Sequence, residues 1–265
     1  METNRDWEAF GLTILDPLQM EEYSHHGDTI TITWKEQSDS HLAIHSFPKE
    51  MNLEMCVKKD AHLKLELLAF DQEINGKIHI KLKENANLET AMADFSSSNE
   101  LHVLVDLEER FAQATWHLAC ISHREEKKIF NINFQHFCGD TSSTMNNWGV
   151  LEDASFMRFC GVSWIMHGAK KTKAHQQAKM MVFDEKCQAI ANPILKIDEN
   201  DIEASHACAV GKVSDEQMFY LTSRGIPELE AKQLITLGYI QPIIAHFDSE
   251  ETREQIIQEI ERGLK

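Results

Sequence analysis

The sequence predicts a mainly β chain that ends in a small helical part, and two patterns support this prediction. From about residue 28 to residue 213, short runs with strand-like alternation are separated by polar or glycine-containing breaks. After residue 213, apolar residues recur at helical spacing instead. We therefore divide the chain into an N-terminal segment (1–27), a β core (28–212) and a helical domain (213–265). Within the first segment, residues 6–20 are expected to form a short helix and a loop.

The β core consists of strand-like runs at regular spacing. This regularity is typical of a β-sandwich, a β-barrel or a β-solenoid, and periodicity alone does not choose among them. Asn75 and Gly76 form a dipeptide typical of a two-residue turn, which predicts a tight hairpin there rather than a solenoid corner. The clearest runs are DTITITW, HLAIHSF, HLKLELLAF, KIHIKLK, ELHVLVDL, KIFNINF, SFMRFCGVSWIMH and QAKMMVF.

The first helix of the C-terminal part is marked by its capping residues. Ser214 suits the N-cap of a helix that runs to about Thr222. Asp215 and Glu216 follow it, where a helix N-terminus favours negative charge. Gly225 is expected to stop this helix.

Two further helices are expected after it. Pro227 suits the first turn of the second helix, and Gly238 is expected to end that helix. Its apolar side is expected to consist of Leu229, Leu234 and Leu237. The third helix is expected to begin near residue 248 or 249, with an apolar stripe of Ile256, Ile257, Ile260 and Leu264.

The composition is strongly acidic. The chain has 43 Asp and Glu residues against 26 Lys and Arg residues, a formal net charge of −17. This charge repels phosphate backbones and anionic lipid surfaces, so we expect neither a nucleic-acid nor a membrane partner. The N-terminus lacks the pattern of a signal peptide, and no run approaches the roughly 18 apolar residues of a membrane span. We expect a cytosolic protein whose six cysteines, none in a Cys-x-x-Cys pair, are reduced.

The run from residue 192 to residue 226 carries the most specific pattern, because it joins a strand-like stretch with His206 and Cys208 to the capped helix. It reads NPILKIDENDIEASHACAVGKVSDEQMFYLTSRGI and closely resembles the SufB/SufD family, the scaffold subunits of the SUF iron–sulfur cluster assembly machinery. The resemblance extends upstream, so that it covers residues 136–240. The matching residues there include Gly149, Val150, Leu151, Gly161, Gly168, Ala169, Lys171, Thr172, Ala174 and Gln176.

This resemblance implies a fold and a partner. The fold is a right-handed parallel β-helix, or β-solenoid, followed by a small helical domain, which decides among the three β architectures. The partner is a SufC-like ABC ATPase that docks on the C-terminal helices. The expected contact residues are Tyr220, Arg224, Leu234 and Leu237. For the leucines, an equally open interpretation is that they form the core of the helical domain itself.

Gly211 and Lys212 superficially match a phosphate-binding loop. The Walker motif requires a glycine five residues before its Gly-Lys pair and a Ser or Thr directly after it. Here those positions hold His206 and Val213. The sequence therefore predicts a non-catalytic scaffold, with any ATP hydrolysis supplied by the partner subunit.

Iron–sulfur chemistry directs attention to thiolate and imidazole donors. Residues two apart in an extended strand point the same way, so Ala204, His206 and Cys208 share one face. His206 matches the histidine of the family, whereas Cys208 is inferred from strand geometry. The SufD branch has a cysteine at the position of Ala204, and SufB has a glutamate at the position of Ala207. We predict that His206 and Cys208, with Cys187 as a third candidate, bind a transient cluster and no tightly bound cofactor.

Three functions remain open. The first is a scaffold or accessory subunit for cluster assembly, and the sequence does not distinguish a SufB-like from a SufD-like role. The second is a purely structural partner without metal, which the loss of the SufD cysteine position favours. The third is a β-helix carbohydrate-active enzyme, although no pair of carboxylates stands out. A solenoid with open edge strands is expected to pair with itself or with a related subunit.

Overall fold

The structure of the chain is a computed structural model that describes residues 12–14, 17–45 and 49–263. These residues form a β-solenoid of about six turns followed by three α-helices, so the predicted fold class is confirmed. A short 3₁₀-helix spans Pro17–Gln19. The strands are β1 (Leu12–Ile14), β2 (Met20–His26), β3 (Thr29–Trp34), β4 (Asp39–Ile44), β5 (Glu50–Val57), β6 (His62–Phe70), β7 (Glu73–Leu82), β8 (Asn87–Phe95), β9 (Ser98–Leu107), β10 (Gln113–Ser122), β11 (Lys127–His136), β12 (Ser142–Leu151), β13 (Phe156–Ile165), β14 (Thr172–Val182), β15 (Gln188–Ile197) and β16 (Ile202–Lys212).

The strands form two eight-stranded sheets, and from β3 onward successive strands alternate between them. Sheet A contains β1 and the even-numbered strands from β4 to β16, and sheet B contains β2 and the odd-numbered strands from β3 to β15. From β3 and β4 onward, each strand pairs in parallel with the strand one coil further along the chain. Two exceptions lie at the N-terminal end, where β1 is antiparallel to β4 and β2 is antiparallel to β3.

The interior between the sheets is apolar in the N-terminal coils. In β5, for example, Met51, Leu53, Met55 and Val57 are at most 3% exposed, while the residues between them face outward. Fully burying such a side chain contributes roughly 1.5–3 kcal/mol. The alternation that predicts strands in the sequence therefore also selects the face on which each strand packs.

The coil corners use backbone conformations that suit Asp and Asn. Asp60, Asn85 and Asp140 have φ angles of 55°, 55° and 58°, in the left-handed region that these residues adopt more readily than most. The backbone N–H of each donates to a carbonyl of the next coil, at 2.8–2.9 Å. The corners therefore stack on one another as the strands do.

The hairpin predicted at Asn75 and Gly76 is wrong, because both residues lie inside β7. Gly76 faces the interior, where a Cβ atom would lie 2.9 Å from Cδ1 of Leu101. The Asn75 amide donates a hydrogen bond of 2.9 Å to Glu50 on the neighbouring strand. This dipeptide therefore serves close packing between coils and not a turn.

The helices are α1 (Asp215–Ser223), α2 (Glu228–Ile244) and α3 (Glu250–Gly263). Ser214 caps α1 as predicted, since its side chain accepts a hydrogen bond from the backbone N–H of Glu216. Gly225 follows with a φ angle of 87°, as a stop signal requires.

The predicted end of the second helix at Gly238 is wrong, because α2 continues to Ile244 with Pro242 inside it. A mid-helix glycine costs only about 1 kcal/mol. The last turns bury Ile240, Ile243 and Ile244, and this burial outweighs that cost.

The helices share a core with the outer face of sheet A. Phe247, Ile256 and Ile260 are at most 1% exposed, as part of a cluster that also contains sheet residues. These sheet residues are Leu68, Ala91, Ala93, Phe95, Ala119, Ile121, Val150 and Met181. The stripe predicted for α3 is thus confirmed at its centre, whereas Leu264 lies outside the described residues. The apolar side predicted for α2 is wrong in part, because Leu229 and Leu234 are 41% and 52% exposed.

At the N-terminus, residues 12–14 form β1 and residues 17–19 form the 3₁₀-helix. Residues 6–11 and 15–16 of the predicted helix and loop lie outside the described residues. Among the helices of the described ranges, none has the length and apolar character needed to cross a membrane.

Candidate functional site at the open end of the solenoid

The C-terminal end of the solenoid leaves its interior uncovered. Within the described residues, β15 and β16 are the last strands of their sheets, and each pairs with a strand on one side only. The inward residues of β14, one layer below β16, are at most 5% exposed from Ala174 to Met180. In β16, the inward residues from Ala204 to Val210 range from half-buried to exposed. We call this region the open end.

His206 and Cys208 lie side by side at this open end. They stand in register with Gln176 and Ala178 of β14, so both point toward the solenoid interior. Both are nevertheless exposed, because no further coil covers them. The Cys208 thiol reaches across to sheet B, where its Sγ lies 3.7 Å from the carbonyl oxygen of Ala191. The face predicted from the two-residue spacing is therefore the inner face, and it is accessible.

The layer below the pair is polar and closely packed. Gln176 is 5% exposed, and its Nε2 donates to Ser163 Oγ at 2.7 Å and to the Ile194 carbonyl at 3.1 Å. Its amide therefore connects β14 to β13 and to β15. Gly161 makes room for it, since a Cβ there would lie 3.1 Å from Gln176 Oε1. Sequence reasoning did not single out Gln176 as a site residue, because its place under His206 depends on the coil register.

The outward face of β16 is held to β14 by polar contacts. His175 Nδ1 and Ser205 Oγ are 2.8 Å apart. Glu203 lies 3.4 Å from the ammonium of Lys173 and 3.7 Å from His175. These contacts on the outward face keep the terminal strand in register with β14. They thereby help to fix the position of His206 and Cys208 on the inward face.

Cys187 lies apart from this pair. It precedes β15, its thiol lies 3.6 Å from the carbonyl oxygen of Asp153, and burial raises the pKa of that thiol. Ala191, which contacts Cys208, is four residues further along, about 13 Å at the rise of a β-strand. The structure thus brings His206 and Cys208 together and does not bring Cys187 to them. Across residues 12–14, 17–45 and 49–263, no group of three or more His, Cys, Asp or Glu residues is placed to hold a metal ion.

The residues expected to contact a partner lie on α1 and α2. Tyr220 is 56% exposed, and the Arg224 guanidinium lies 4.6 Å from the centre of its ring. Leu234 is 52% exposed, so it does not belong to the helical core. Leu237 is half-buried and lines a cleft of about 500 Å³ between α2 and α3. Phe219, which is 73% exposed, was not singled out from the sequence as a contact residue although it lies next to Tyr220.

A second polar cluster lies deep in the solenoid, away from the open end. Lys128 and Asp94 are fully buried, and Lys128 Nζ lies 2.9 Å from Asp94 Oδ1 and 2.6 Å from the Ile121 carbonyl oxygen. Burial alone would lower the pKa of Lys128, but Asp94 and the other acidic groups around it, Glu126 among them, together more than offset this effect, so the pKa is raised. The side chain is therefore a buried ammonium in a closed ion pair.

Comparison with known proteins places most of the chain in one family. The family model described as SUF system FeS cluster assembly, SufBD core domain, matches residues 27–239. The iron-sulfur cluster assembly protein SufD of Bacillus subtilis is 36% identical over 145 residues, which are 55% of this chain and 33% of that protein. SufB of the same organism is 31% identical over 107 residues, or 40% of this chain and 23% of that protein.

A third relative covers more of the chain. An iron-sulfur cluster assembly SufBD family protein of Staphylococcus epidermidis is 26% identical over 197 residues, which are 72% of this chain and 42% of that protein. Across these three relatives the matches span 23–42% of the relative's own length. The open end lies inside the matched region in the family model.

Proposed function

The chain belongs to the SufB/SufD family, and on this premise we propose that it is a scaffold subunit for iron–sulfur cluster assembly. The observation that carries this proposal is the exposed pair His206 and Cys208 on the inner face of the terminal strand. A thiolate and an imidazole are donors that suit iron and iron–sulfur clusters. The cluster is the cargo of this site, held transiently and then passed on.

Pairing with a second subunit follows from the number of donors. One chain offers two donors at the open end, whereas iron–sulfur clusters are commonly held by four protein ligands. A second copy, or a related SufB/SufD-like subunit, placed against β15 and β16 would add its own donors. It would also cover the free strand edges and the exposed side chains of Ile194 and Val210, which are 45% and 48% exposed.

We assign the energy supply to a SufC-like ABC ATPase in the cytosol, where thiols remain reduced. The helical part offers the surface for it, with Tyr220, Arg224, Leu234 and Leu237 as contact residues. In this scheme the chain itself is not catalytic, and conformational work by the ATPase opens or closes the paired site.

Anaerobic reconstitution tests the donor assignment. The full-length chain is incubated with the ATPase, iron and sulfide, and cluster content is followed by visible absorption and by iron and sulfide counts. We expect His206→Ala and Cys208→Ser each to lose most of the cluster, and Cys160→Ser to retain it, because Cys160 is half-buried on the outer face of β13. Cys187→Ser tests the third candidate donor, which lies apart from the pair.

The same experiment separates scaffold from structural partner. If wild type assembles a cluster and both His206→Ala and Cys208→Ser match it in folded yield and cluster content, the donor assignment is wrong. If no variant and no wild-type sample holds iron while the complex forms normally, the purely structural role is supported. We retain this second role because no group of three or more metal-binding side chains is preformed among the described residues.

ATPase docking is tested with surface variants of the full chain. Deleting the helices would expose the sheet residues that they cover, such as Leu68 and Ala93, so a truncated chain is a poor reagent. We expect Tyr220→Ala and Leu234→Glu to abolish co-elution with the ATPase. Phe137→Ala, at a residue that is 41% exposed on a solenoid corner, is the control and should bind normally. Normal binding by both helix variants would contradict the assignment.

A further inference from the structure

One buried acceptor lies directly under the open end. Oε1 of Gln176 is buried and has no hydrogen-bond partner within the described part of the chain. Leaving such an acceptor unsatisfied costs roughly 1–3 kcal/mol. A native structure that retains one usually has a function for it or a group that fills the gap.

The orientation of the Gln176 amide is fixed by its other contacts. The Ile194 carbonyl can only accept a hydrogen bond, so the atom that faces it at 3.1 Å must be the Nε2 donor. Ser163 Oγ binds the same Nε2 at 2.7 Å. Exchanging the two amide ends would place an oxygen against the carbonyl oxygen. Oε1 is therefore left as the free end, and Gly161 leaves space beside it.

The residue that pairs with Gln176 on the terminal strand is His206. Gln176 and His206 are paired residues of neighbouring parallel strands, and such strands lie about 4.8 Å apart. Both side chains point to the interior side, and His206 is the last residue of this inward row. An imidazole N–H is thus the donor that the paired residue of the terminal strand can offer to Oε1.

We propose that Gln176 is a positioning residue for His206: its Oε1 accepts a hydrogen bond from one ring nitrogen and thereby fixes the tautomer of the imidazole. In a neutral imidazole one nitrogen carries the proton and the other holds the lone pair that binds a metal. Histidines that bind metals usually donate their other N–H to a protein acceptor, which sets ring orientation. The purpose of this contact would be to direct the free nitrogen of His206 toward the open end, where it could bind the cluster. This purpose rests on the proposed function.

The experiment measures the tautomer directly in the metal-free, full-length chain. Nitrogen-15 chemical shifts of the imidazole ring distinguish the protonated nitrogen from the free one, and His206 is identified by the signals lost in His206→Gln. We expect the tautomer ratio of His206 in wild type to differ from that of a free histidine side chain by about fivefold or more, the preference that one hydrogen bond provides. Gln176→Met removes the acceptor at similar volume and should bring the ratio to that of a free histidine side chain.

Gln177→Met is the matched control. Gln177 is the next residue of β14, is half-buried and points outward, so the same substitution there should leave the His206 signals unchanged. If Gln176→Met does not fold, Ser163→Ala takes its place, because it removes one of the two contacts that hold the amide. Ser163→Ala should shift the tautomer ratio in the same direction by a smaller factor.

A wild-type His206 with the tautomer mixture of a free histidine side chain would overturn the proposal. So would an unchanged ratio in Gln176→Met, or in Ser163→Ala where that variant is the one that folds. The measurement needs neither iron nor the ATPase, so its failure is distinguishable from a failure of cluster assembly. A fixed tautomer with no cluster assembly would leave the positioning role intact and remove only its proposed purpose.

Discussion

The two ends of the solenoid differ in how the chain terminates its sheets. At the N-terminal end, β2 turns back against β3 and β1 lies antiparallel to β4. The first inward residues there, Ile30, Ile32 and Trp34, are at most 2% exposed. At the C-terminal end, β15 and β16 continue the parallel pattern and no described strand covers them. The accessibility of His206 and Cys208 therefore results from the missing cover and not from an unusual local backbone.

The interiors of the two halves differ in chemistry as well. The N-terminal coils bury Ile, Leu, Met and Trp side chains. Nearer the open end, the interior also contains hydrogen-bonded polar groups, such as His136, whose ring contacts Thr141 and Ser143, and Gln176. Exposure to water costs less free energy for a polar layer than for an apolar layer. The sequence of the last coils is therefore suited to an end that is exposed in the single subunit.

The largest expected effect comes from breaking the buried ion pair in the closed interior. Lys128→Met leaves the Asp94 carboxylate buried without its counter-charge and should destabilise the chain by about 3–5 kcal/mol. Lys212→Met, in the exposed terminal strand, should stay within about 0.5 kcal/mol of wild type. Urea unfolding of both variants measures the difference. An equal loss of unfolding free energy in the two variants would contradict the difference between the buried middle of the solenoid and its exposed end.

A matched pair of leucines tests the same contrast without charge. Leu53→Ala removes a fully buried side chain of β5 and should cost about 2–5 kcal/mol. Leu195→Ala acts on an inward but half-buried side chain of β15 and should cost about 1 kcal/mol in the single subunit. Unfolding is measured at a concentration where light scattering gives a monomer. A larger loss for Leu195→Ala than for Leu53→Ala would contradict the comparison.

The stability of the chain should depend on pH through Glu152, which follows β12 of sheet A and interacts with Lys232 of α2. Burial raises the pKa of Glu152 to about 7, although Lys232 of α2 acts to lower it. The folded state thus binds this proton more tightly than the unfolded state, so stability falls as pH rises from about 4.5 to 7. The loss is at most about 3 kcal/mol at pH 7. Glu152→Gln should therefore exceed wild type in melting temperature at pH 7.5 and match it near pH 4.5. A difference between the two proteins that is the same at both pH values would contradict this explanation.

The smallest effect on the single subunit is expected from a charge on the open end. Ile194→Glu should change the stability of the monomer by no more than about 0.5 kcal/mol. It should weaken self-association at least about tenfold, equivalent to 1.4 kcal/mol, because it places a charge beside the pairing edge. Leu18→Glu, at a residue that is 78% exposed near the capped end, is the control. Sedimentation equilibrium distinguishes the two. Equal weakening by both substitutions would remove the open end as the pairing surface.

Sequence reasoning predicted the strands well where their alternation is strong, as in β6, whose run HLKLELLAF coincides with Leu63, Leu65 and Leu67 on the inner face. It did not single out β12, where SSTMNNWGVL carries polar residues on both faces. It misjudged Gly76 and Gly238, since a glycine in one sequence reads as a turn or a stop. The packing against Leu101, or against sheet A, decides otherwise.

For the candidate site, the sequence predicted the shared face of His206 and Cys208 but not its setting. The two-residue spacing is a local property of a strand, so it can be read from the chain. That this face is the inner one, uncovered and placed over Gln176, depends on pairing between residues about 30 positions apart. The separation of Cys187 from Cys208 could not be predicted for the same reason, because it depends on the path of the chain around a corner of the solenoid.

Hydrogen exchange as a function of protein concentration tests the central comparison most directly. Backbone amides of β15 and β16, residues 188–212, are expected to exchange at least about tenfold more slowly when the concentration rises through the range of self-association. Amides of β2 and β3, residues 20–34, should exchange at a rate that is independent of concentration. Protection that grows at residues 20–34 and stays constant at residues 188–212 would contradict the account, because the capped end would then be the end that pairs.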